Sequence, residues 1–304
     1  MKIAVTGADG FVGKHLCALL RERGDRPVEL IGPRRDGVGG PAAAVGTMVD
    51  VTDAAAVAAA LSDASVEAVI HLAGFSSVGK SHEMPGVVFQ VNAVGTVNVL
   101  RAARGKRVVV IGSGEMYGAV APGTRAAEEH PLRPLSPYAA SKVAAEVAAI
   151  QFHRSYGADV VCARPFNHLG VGQDPAFVVP AFAAQISEIR RGRAEPLVRV
   201  GNLEPVRDFS HVRDVVEAYR LLVEKGRPGE VYNVCSGEGR SIRALLDEMI
   251  AIAGVTAKVE VDPARVRPVD LPSLVGNPAK LLALGWAPRH TWKDALAEVL
   301  QAAG

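Results

Sequence analysis

The chain has 304 residues, enough for one large domain or two intimate ones. Apolar residues make up 49% of it, which supports a packed core and argues against a long disordered region. A formal net charge of +2 with no basic run offers no footprint for nucleic acid, and no run of about 18 apolar residues suggests a membrane span.

The first half alternates β-rich runs with helical patterns, as a parallel sheet with crossover helices does. Met1-Lys2 runs straight into Ile3-Ala-Val5, so no leader peptide is expected. The first strand covers about 2–5. It opens into Thr6-Gly7-Ala-Asp-Gly10-Phe11-Val12-Gly13 and a helix over about 11–23, with Leu16, Leu19 and Leu20 on one face and Gly24 as its stop. A second strand falls at 28–31, a Gly/Pro-rich loop at 32–46, and a short third strand ends near Val51. Strands four and five are placed at 68–72 and 108–111. The run Arg107-Val-Val-Val-Ile111 reads as buried on both faces. A long Ala-rich helix spans about 138–153.

The second half is richer in proline. Strands are expected at 159–163 and 230–234, the latter feeding Ser241 as N-cap of a helix over 242–253. The stretch 261–277 interleaves Pro263, Pro268 and Pro272 with Arg265 and Arg267 and reads as a loop-rich region over a site. There is no repeat and no low-complexity linker, so the lobes are expected to interleave. Residues 1–165 with returning segments at about 202–240 form a dinucleotide-binding domain, and 166–201 with 241–304 form most of a substrate lobe. Cys17, Cys162 and Cys235 are far apart, lack metal-ligand spacing and suit a reducing cytoplasm.

Three glycines carry the first chemical signal. Gly7 permits a tight turn, Gly10 lets backbone approach a pyrophosphate, and Gly13 lets helix pack on strand. The N–H groups of the following helix then face the phosphates. Cofactor choice falls to the end of the second strand, where arginine accepts a 2′-phosphate and an acid binds ribose hydroxyls. Arg34 and Arg35 favour NADP(H), while Asp36 keeps NAD(H) open.

The second signal is Tyr138-Ala-Ala-Ser-Lys142, with Ser113 upstream. It sets a phenol and an ammonium one turn apart on one helix face. A free phenol titrates near pH 10, so it needs help at neutrality, and Lys142 is expected to favour the phenolate. Together the two motifs resemble the extended short-chain dehydrogenase/reductase superfamily, over nearly the whole chain. The resemblance implies an α/β fold: a Rossmann-type doubly wound parallel sheet with a smaller, interleaved C-terminal α/β substrate lobe. It also implies that Ser113 orients the reacting oxygen, Tyr138 is the general acid/base and Lys142 holds the nicotinamide ribose. Phe11 and Val12 extend the glycine turn. Asp50 is assigned to the adenine amino group beside Val51, and Leu72, Ala73 and Gly74 leave room for ribose and phosphate. Phe166 and His168 are assigned to the nicotinamide side, His168 through its backbone. Ser76, Ser77 and Val178 are assigned to the substrate. Relatives dimerise through the Tyr-x-x-x-Lys helix and its predecessor, so a homodimer is expected.

The C-terminal half narrows the likeness. Arg164-Pro-Phe-Asn167-His168-Leu-Gly-Val-Gly172-Gln173 resembles the matching segment of GDP-4-keto-6-deoxy-D-mannose reductases. The runs from Val200 to Tyr219 and from Arg267 to Asp270 resemble both those reductases and GDP-mannose 4,6-dehydratases. Arg207 and Arg267 are the cations wanted around a diphosphate. Asn167 is carried over to the diphosphate by resemblance, and Asp270 is a candidate for ribose hydroxyls or a guanine edge. Asp208, Arg213 and Asp214 read as a structural charge network at a helix start, Trp286 as a packing residue and His71 as a satisfied core histidine. No histidine shows a metal pattern.

Three function classes follow. In the leading one, NADPH delivers hydride to the C4 ketone of a nucleotide-linked 4-keto-6-deoxy sugar, most directly GDP-4-keto-6-deoxy-D-mannose to GDP-D-rhamnose, with Tyr138 as general acid. A second is a 4,6-dehydratase or C4-epimerase with self-recycling cofactor. Glu115 sits where dehydratases place a C5 base; Gly114 replaces the Asp that dTDP-glucose enzymes add but that GDP-mannose dehydratases do without, and Ala181 falls where the latter carry a lysine. A third is a non-enzymatic NADP-binding sensor or scaffold, against which the intact Ser113, Tyr138 and Lys142 argue.

Overall fold

The computed structural model describes residues 1–33, 46–121, 123–265 and 271–304. Strand β1 (Lys2–Thr6) ends in the glycine turn that starts helix α1 (Phe11–Glu22). β2 (Arg26–Ile31) and the two-residue β3 (Thr47–Met48) follow, then α2 (Ala54–Ala60), whose first N–H groups are capped by Asp53. After β4 (Ala68–His71), short helices α3 (Val78–Ser81) and α4 (Pro85–Phe89) lead through a π turn at Gln90–Val94 into α5 (Gly95–Ala102). β5 (Arg107–Ile111) ends in a 3-10 turn at Gly114–Tyr117. The long helix α6 (Pro137–Tyr156) is capped by Ser136, carries Pro137 at its first position and stops at the left-handed Gly157. β6 (Val160–Pro165), β7 (Asn167–Leu169), α7 (Val178–Arg190), β8 (Leu197–Val200) and β9 (Val206–His211) come next. Then follow α8 (Val212–Lys225), β10 (Val231–Val234), β11 (Gly239–Ser241), α9 (Ile242–Ala253), β12 (Lys258–Val261), β13 (Ser273–Leu274), α10 (Ala279–Ala283) and α11 (Trp292–Ala303).

Seven strands form one sheet in the order β10-β6-β5-β4-β1-β2-β3, every pairing parallel. Parallel strands need crossovers, and these cover both faces, which is why the strands are apolar runs rather than alternations. On one face α1 and α8 pack with Leu16, Leu20, Tyr219 and Leu222 against Val5, Ile70 and Val109. On the other, α2, α5 and α6 pack with Val57, Val99 and Ala149 against Ala4, Val69 and Val108. This is the Rossmann-type doubly wound sheet. The strand order reverses between β1 and β4, and ligands in such sheets bind at that crevice beyond the carboxyl ends of the strands.

The smaller lobe holds a β11-β9-β13 sheet with β7 also on β9, and a separate β8–β12 pair. Helices α7, α9 and α11 bury Phe182, Leu246 and Leu296 among themselves. The returning segment divides between the lobes: β9 enters the small sheet, while α8 and β10 complete the large one. The third strand is shorter than the sequence suggests. It closes at Met48, and Asp50 and Val51 lie in the turn that precedes α2. Within 261–277, a short strand and a bridge from Ala126 to Gly276 replace what reads as loop, and 266–270 lie outside the described residues.

Candidate active site

One cavity of about 1240 Å³ runs from the β1–α1 turn into the smaller lobe. At one end lie Gly7, Gly10, Phe11, Val12 and Gly13, then Asp50 and Val51, then Leu72, Ala73 and Gly74. Ser113, Glu115, Tyr138 and Lys142 form its middle, with Phe166, Asn167 and His168 beside them. Ser76, Ser77, Val178 and Arg207 complete the set read from the sequence. Arg34, Arg35, Arg267 and Asp270 lie outside the described residues.

The dinucleotide end fits a pyrophosphate by what its glycines leave open. A Cβ at Gly13 would stand 2.3 Å from the Gly7 carbonyl oxygen, so only glycine lets α1 start this close to β1. Lys14 N donates to Gly10 O, and the first N–H groups of α1 face the cavity mouth. A Cβ at Gly74 would stand 3.2 Å from Lys142 Nζ and 3.0 Å from Asn92 Oδ1, so glycine here lets the backbone after β4 lie close against the lysine. Asp50 accepts from Thr52 N (3.0 Å) and Thr52 Oγ1 (2.8 Å), which fixes the carboxylate over the pocket end. These residues fit a dinucleotide such as the NADP(H) or NAD(H) read from the sequence.

The reacting groups come from two elements. Ser113 caps the 3-10 turn after β5, its Oγ accepting from Glu115 N at 3.2 Å, and it hydrogen-bonds the Tyr138 phenol. Lys142 donates to the Ile111 carbonyl at 2.9 Å. Burial pushes the Tyr138 phenol up to about 12; the Ser113 hydrogen bond lowers it and the Glu115 charge raises it. The lysine is itself drawn down to about 8 by burial, and its ammonium is directed at a carbonyl.

Neighbouring side chains hold this geometry. Phe166 is buried against Tyr117, ring centroids 6.0 Å apart. A Cβ at Gly114 would come within 3.0 Å of the Phe166 ring, so a side chain there would require the ring to shift. His168 stacks on Phe11 (6.0 Å, 9° between planes), with Nδ1 3.0 Å from the Phe166 carbonyl, so its ring serves packing. Arg207 is buried and its Nη1 donates to the carbonyls of Val206 (3.0 Å) and Leu271 (2.6 Å).

The residues read as structural have structural partners. Asp208 accepts from the backbone of Ser236, Gly237 and Gly276. Asp214 accepts from the backbone of Arg289 and His290, Arg213 pairs with Glu298, and Trp286 Nε1 donates to Asp214 O. His71 lies between Thr6 Oγ1 (2.7 Å) and Thr96 Oγ1 (3.1 Å).

Asn92 has no counterpart in the sequence reading. Its Oδ1 accepts from Phe75 N (2.7 Å) and its Nδ2 donates to Ser141 Oγ (2.9 Å), tying the β4 end to α6 between Tyr138 and Lys142. Arg199, Gln173 and Arg265 also line the cavity. Gln173 Oε1 is buried without a hydrogen-bond partner among the described residues.

The family model described as GDP-mannose 4,6 dehydratase matches residues 4–299. The chain is 36% identical to the GDP-6-deoxy-D-mannose reductase of Pseudomonas aeruginosa, over 98% of this chain and 96% of that one. It is 31% identical to the GDP-6-deoxy-D-talose 4-dehydrogenase of Aggregatibacter actinomycetemcomitans, over 98% and 96%. The structure of RMD from Pseudomonas aeruginosa complexed with NADPH superposes with a TM-score of 0.87 at 36% identity, covering 99% of this chain and 98% of that one.

Proposed function

The chain belongs to the GDP-mannose 4,6-dehydratase family within the extended short-chain dehydrogenases/reductases, and on that premise we propose that it is an NADPH-dependent 4-ketoreductase of nucleotide-linked 4-keto-6-deoxy sugars. The substrate of this reading is GDP-4-keto-6-deoxy-D-mannose and the product GDP-D-rhamnose, in line with the relative named GDP-6-deoxy-D-mannose reductase. The observation that carries the reading is the convergence of Ser113, Tyr138 and Lys142 on one cavity beside the glycine turn, in a chain 36% identical to a GDP-6-deoxy-D-mannose reductase over 98% of its length. A reductase needs the Tyr138 phenol as an acid, and, held up to about 12, it stays protonated across the neutral range. Dehydratases and epimerases instead begin by oxidising the C4 alcohol and use the same group as a base.

NADPH, when bound, supplies the hydride. Tyr138 donates its proton to the C4 oxygen as negative charge builds there, and Ser113 shares that hydrogen bond. Lys142 holds the ribose beside Gly74. Asn167 and Arg207 face the diphosphate, Ser76, Ser77 and Val178 the rest of the substrate, and Phe166 closes the wall behind the ring. The dinucleotide-binding domain carries the cofactor and the smaller lobe the nucleotide sugar. NADP(H) is favoured by the sequence at Arg34 and Arg35 and by the NADPH-bound relative.

A homodimer completes the reading. The outer face of α4–α6 exposes Phe89, Val94 and Val147, the last at 60%, on the helices through which relatives associate. No helix among the described residues is long and apolar enough to cross a membrane. Three buried free thiols suit a cytoplasmic enzyme.

The test supplies GDP-4-keto-6-deoxy-D-mannose, made in situ from GDP-mannose, and follows loss of NADPH absorbance. Loss that Tyr138→Phe abolishes supports the reductase. Turnover of GDP-mannose by protein that carries its own bound cofactor, with none added, would instead establish the dehydratase or epimerase.

A further inference from the structure

Arg199 stands mid-strand in β8 between Val198 and Val200. Those two valines are buried, while Arg199 is exposed and lines the smaller-lobe part of the cavity. Its backbone is fixed on both edges. β12 pairs with one edge, and Gln185 of α7 closes the other, accepting from Arg199 N (2.9 Å) and donating to Arg199 O (3.1 Å). Its guanidinium makes no hydrogen bond or ion pair among the described residues, although Glu260 faces it across the β8–β12 ladder. The neighbouring cations differ. Arg207 donates to two carbonyls, and Arg265 pairs with Asp262 at 3.4 Å. Gly201 brings the Arg265 segment close, since a Cβ there would meet the Arg265 carbonyl oxygen at 2.4 Å.

A nucleotide sugar with its ketone at Tyr138 extends its diphosphate and base into this lobe, because the opposite end holds the dinucleotide turn. We infer that Arg199 reads the base, its two parallel N–H groups donating to O6 and N7 of a 6-oxopurine. Arginine's planar fork matches that pair of acceptors. Adenine sets a donor beside N7, and uracil or thymine flanks O4 with the N3–H donor on one side and carbon on the other, so neither presents two adjacent acceptors to the fork. Selection of a GDP-linked over a UDP- or dTDP-linked sugar then rests on one residue of an edge strand. The inference depends on the nucleotide-sugar reading proposed above.

The test measures binding of GDP, IDP, ADP and UDP to the NADP-saturated protein by calorimetry, for wild type and Arg199→Ala. IDP keeps O6 and N7 but lacks the 2-amino group. GDP and IDP are expected to lose about 10- to 100-fold in affinity, while ADP and UDP change little. Retained NADP binding by the variant checks its fold. An equal loss for all four nucleotides would make Arg199 a phosphate contact and overturn the inference, as would unchanged GDP and IDP. A wild type that binds UDP as tightly as GDP overturns both the inference and the choice of base. Ketone reduction with NADPH is read separately, through Tyr138→Phe, and survives or fails without reference to Arg199.

Discussion

Arg164 at the end of β6 grips Glu146 of α6 at two points, 2.6 and 2.8 Å, with both side chains only 5–6% exposed. The same guanidinium donates to Tyr117 Oη at 2.7 Å and lies over its ring. Tyr117 in turn donates to Asn233 Oδ1 of β10. The helix that carries Tyr138 and Lys142 is thereby tied to the turn that carries Ser113 and Glu115. Glu146→Ala leaves a buried guanidinium uncompensated and is expected to cost about 3–5 kcal/mol in denaturant unfolding. The pair Glu146→Leu with Arg164→Met should recover much of that stability, because two buried charges leave together. A loss under about 1 kcal/mol in the single variant would show that the network is not structural.

The large sheet was legible because burial on both faces leaves continuous apolar runs such as Arg107–Ile111, and because Gly7, Gly10 and Gly13 mark the turn from the first strand into its helix. The site was legible where one short segment carries two groups, as with Tyr138 and Lys142. What stayed hidden depends on partners distant in sequence. β9 reads Val-Arg-Asp-Phe-Ser-His, a charged pattern no strand signal favours, yet five of its six residues are buried, with Asp208 satisfied by three backbone N–H groups from elsewhere. Asn92 lies in a π turn among apolar residues, and no spacing rule links it to Ser141. The site geometry has the same root: helix spacing places Lys142 near Tyr138, but only the fold shows that the ammonium donates to the Ile111 carbonyl.

Val147 projects from α6 at 60% exposure, with Phe89 and Val94 also exposed on α4 and the π turn. Val147→Asp puts a charge into the proposed dimer face. It should shift sedimentation from dimer to monomer while leaving the unfolding midpoint of the monomer near wild type. A wild-type chain that sediments as a monomer at micromolar concentration removes the homodimer.

Glu115 separates the two enzyme readings. Its charge raises the Tyr138 phenol, so Glu115→Gln lowers that phenol's affinity for its proton but leaves it protonated at neutrality. Ketone reduction by Glu115→Gln should stay within about tenfold of wild type, whereas Tyr138→Phe should lose about 10²–10⁴-fold. A dehydratase would lose its C5 base and fall to background. The chemical step of reduction should also show no alkaline limb from Tyr138 below about pH 10, because the phenol, held up to about 12, keeps its proton there.

Lys142 trades stability for its place at the cofactor. Burial draws its ammonium from 10.5 down to about 8, so between those values the folded chain holds fewer protons than the unfolded one. Stability therefore rises with pH through that window, and the penalty is present in full below about pH 8. Its size is roughly 3 kcal/mol at neutrality, less whatever the bond to the Ile111 carbonyl returns. Lys142→Met should unfold later than wild type at pH 7, lose that advantage by about pH 10, and bind NADPH more weakly throughout. Wild-type affinity for NADPH should also fall as pH rises through about 8, where the ammonium is lost. A Lys142→Met chain no more stable than wild type at pH 7 would mean that the carbonyl bond offsets the whole cost of burying the charge.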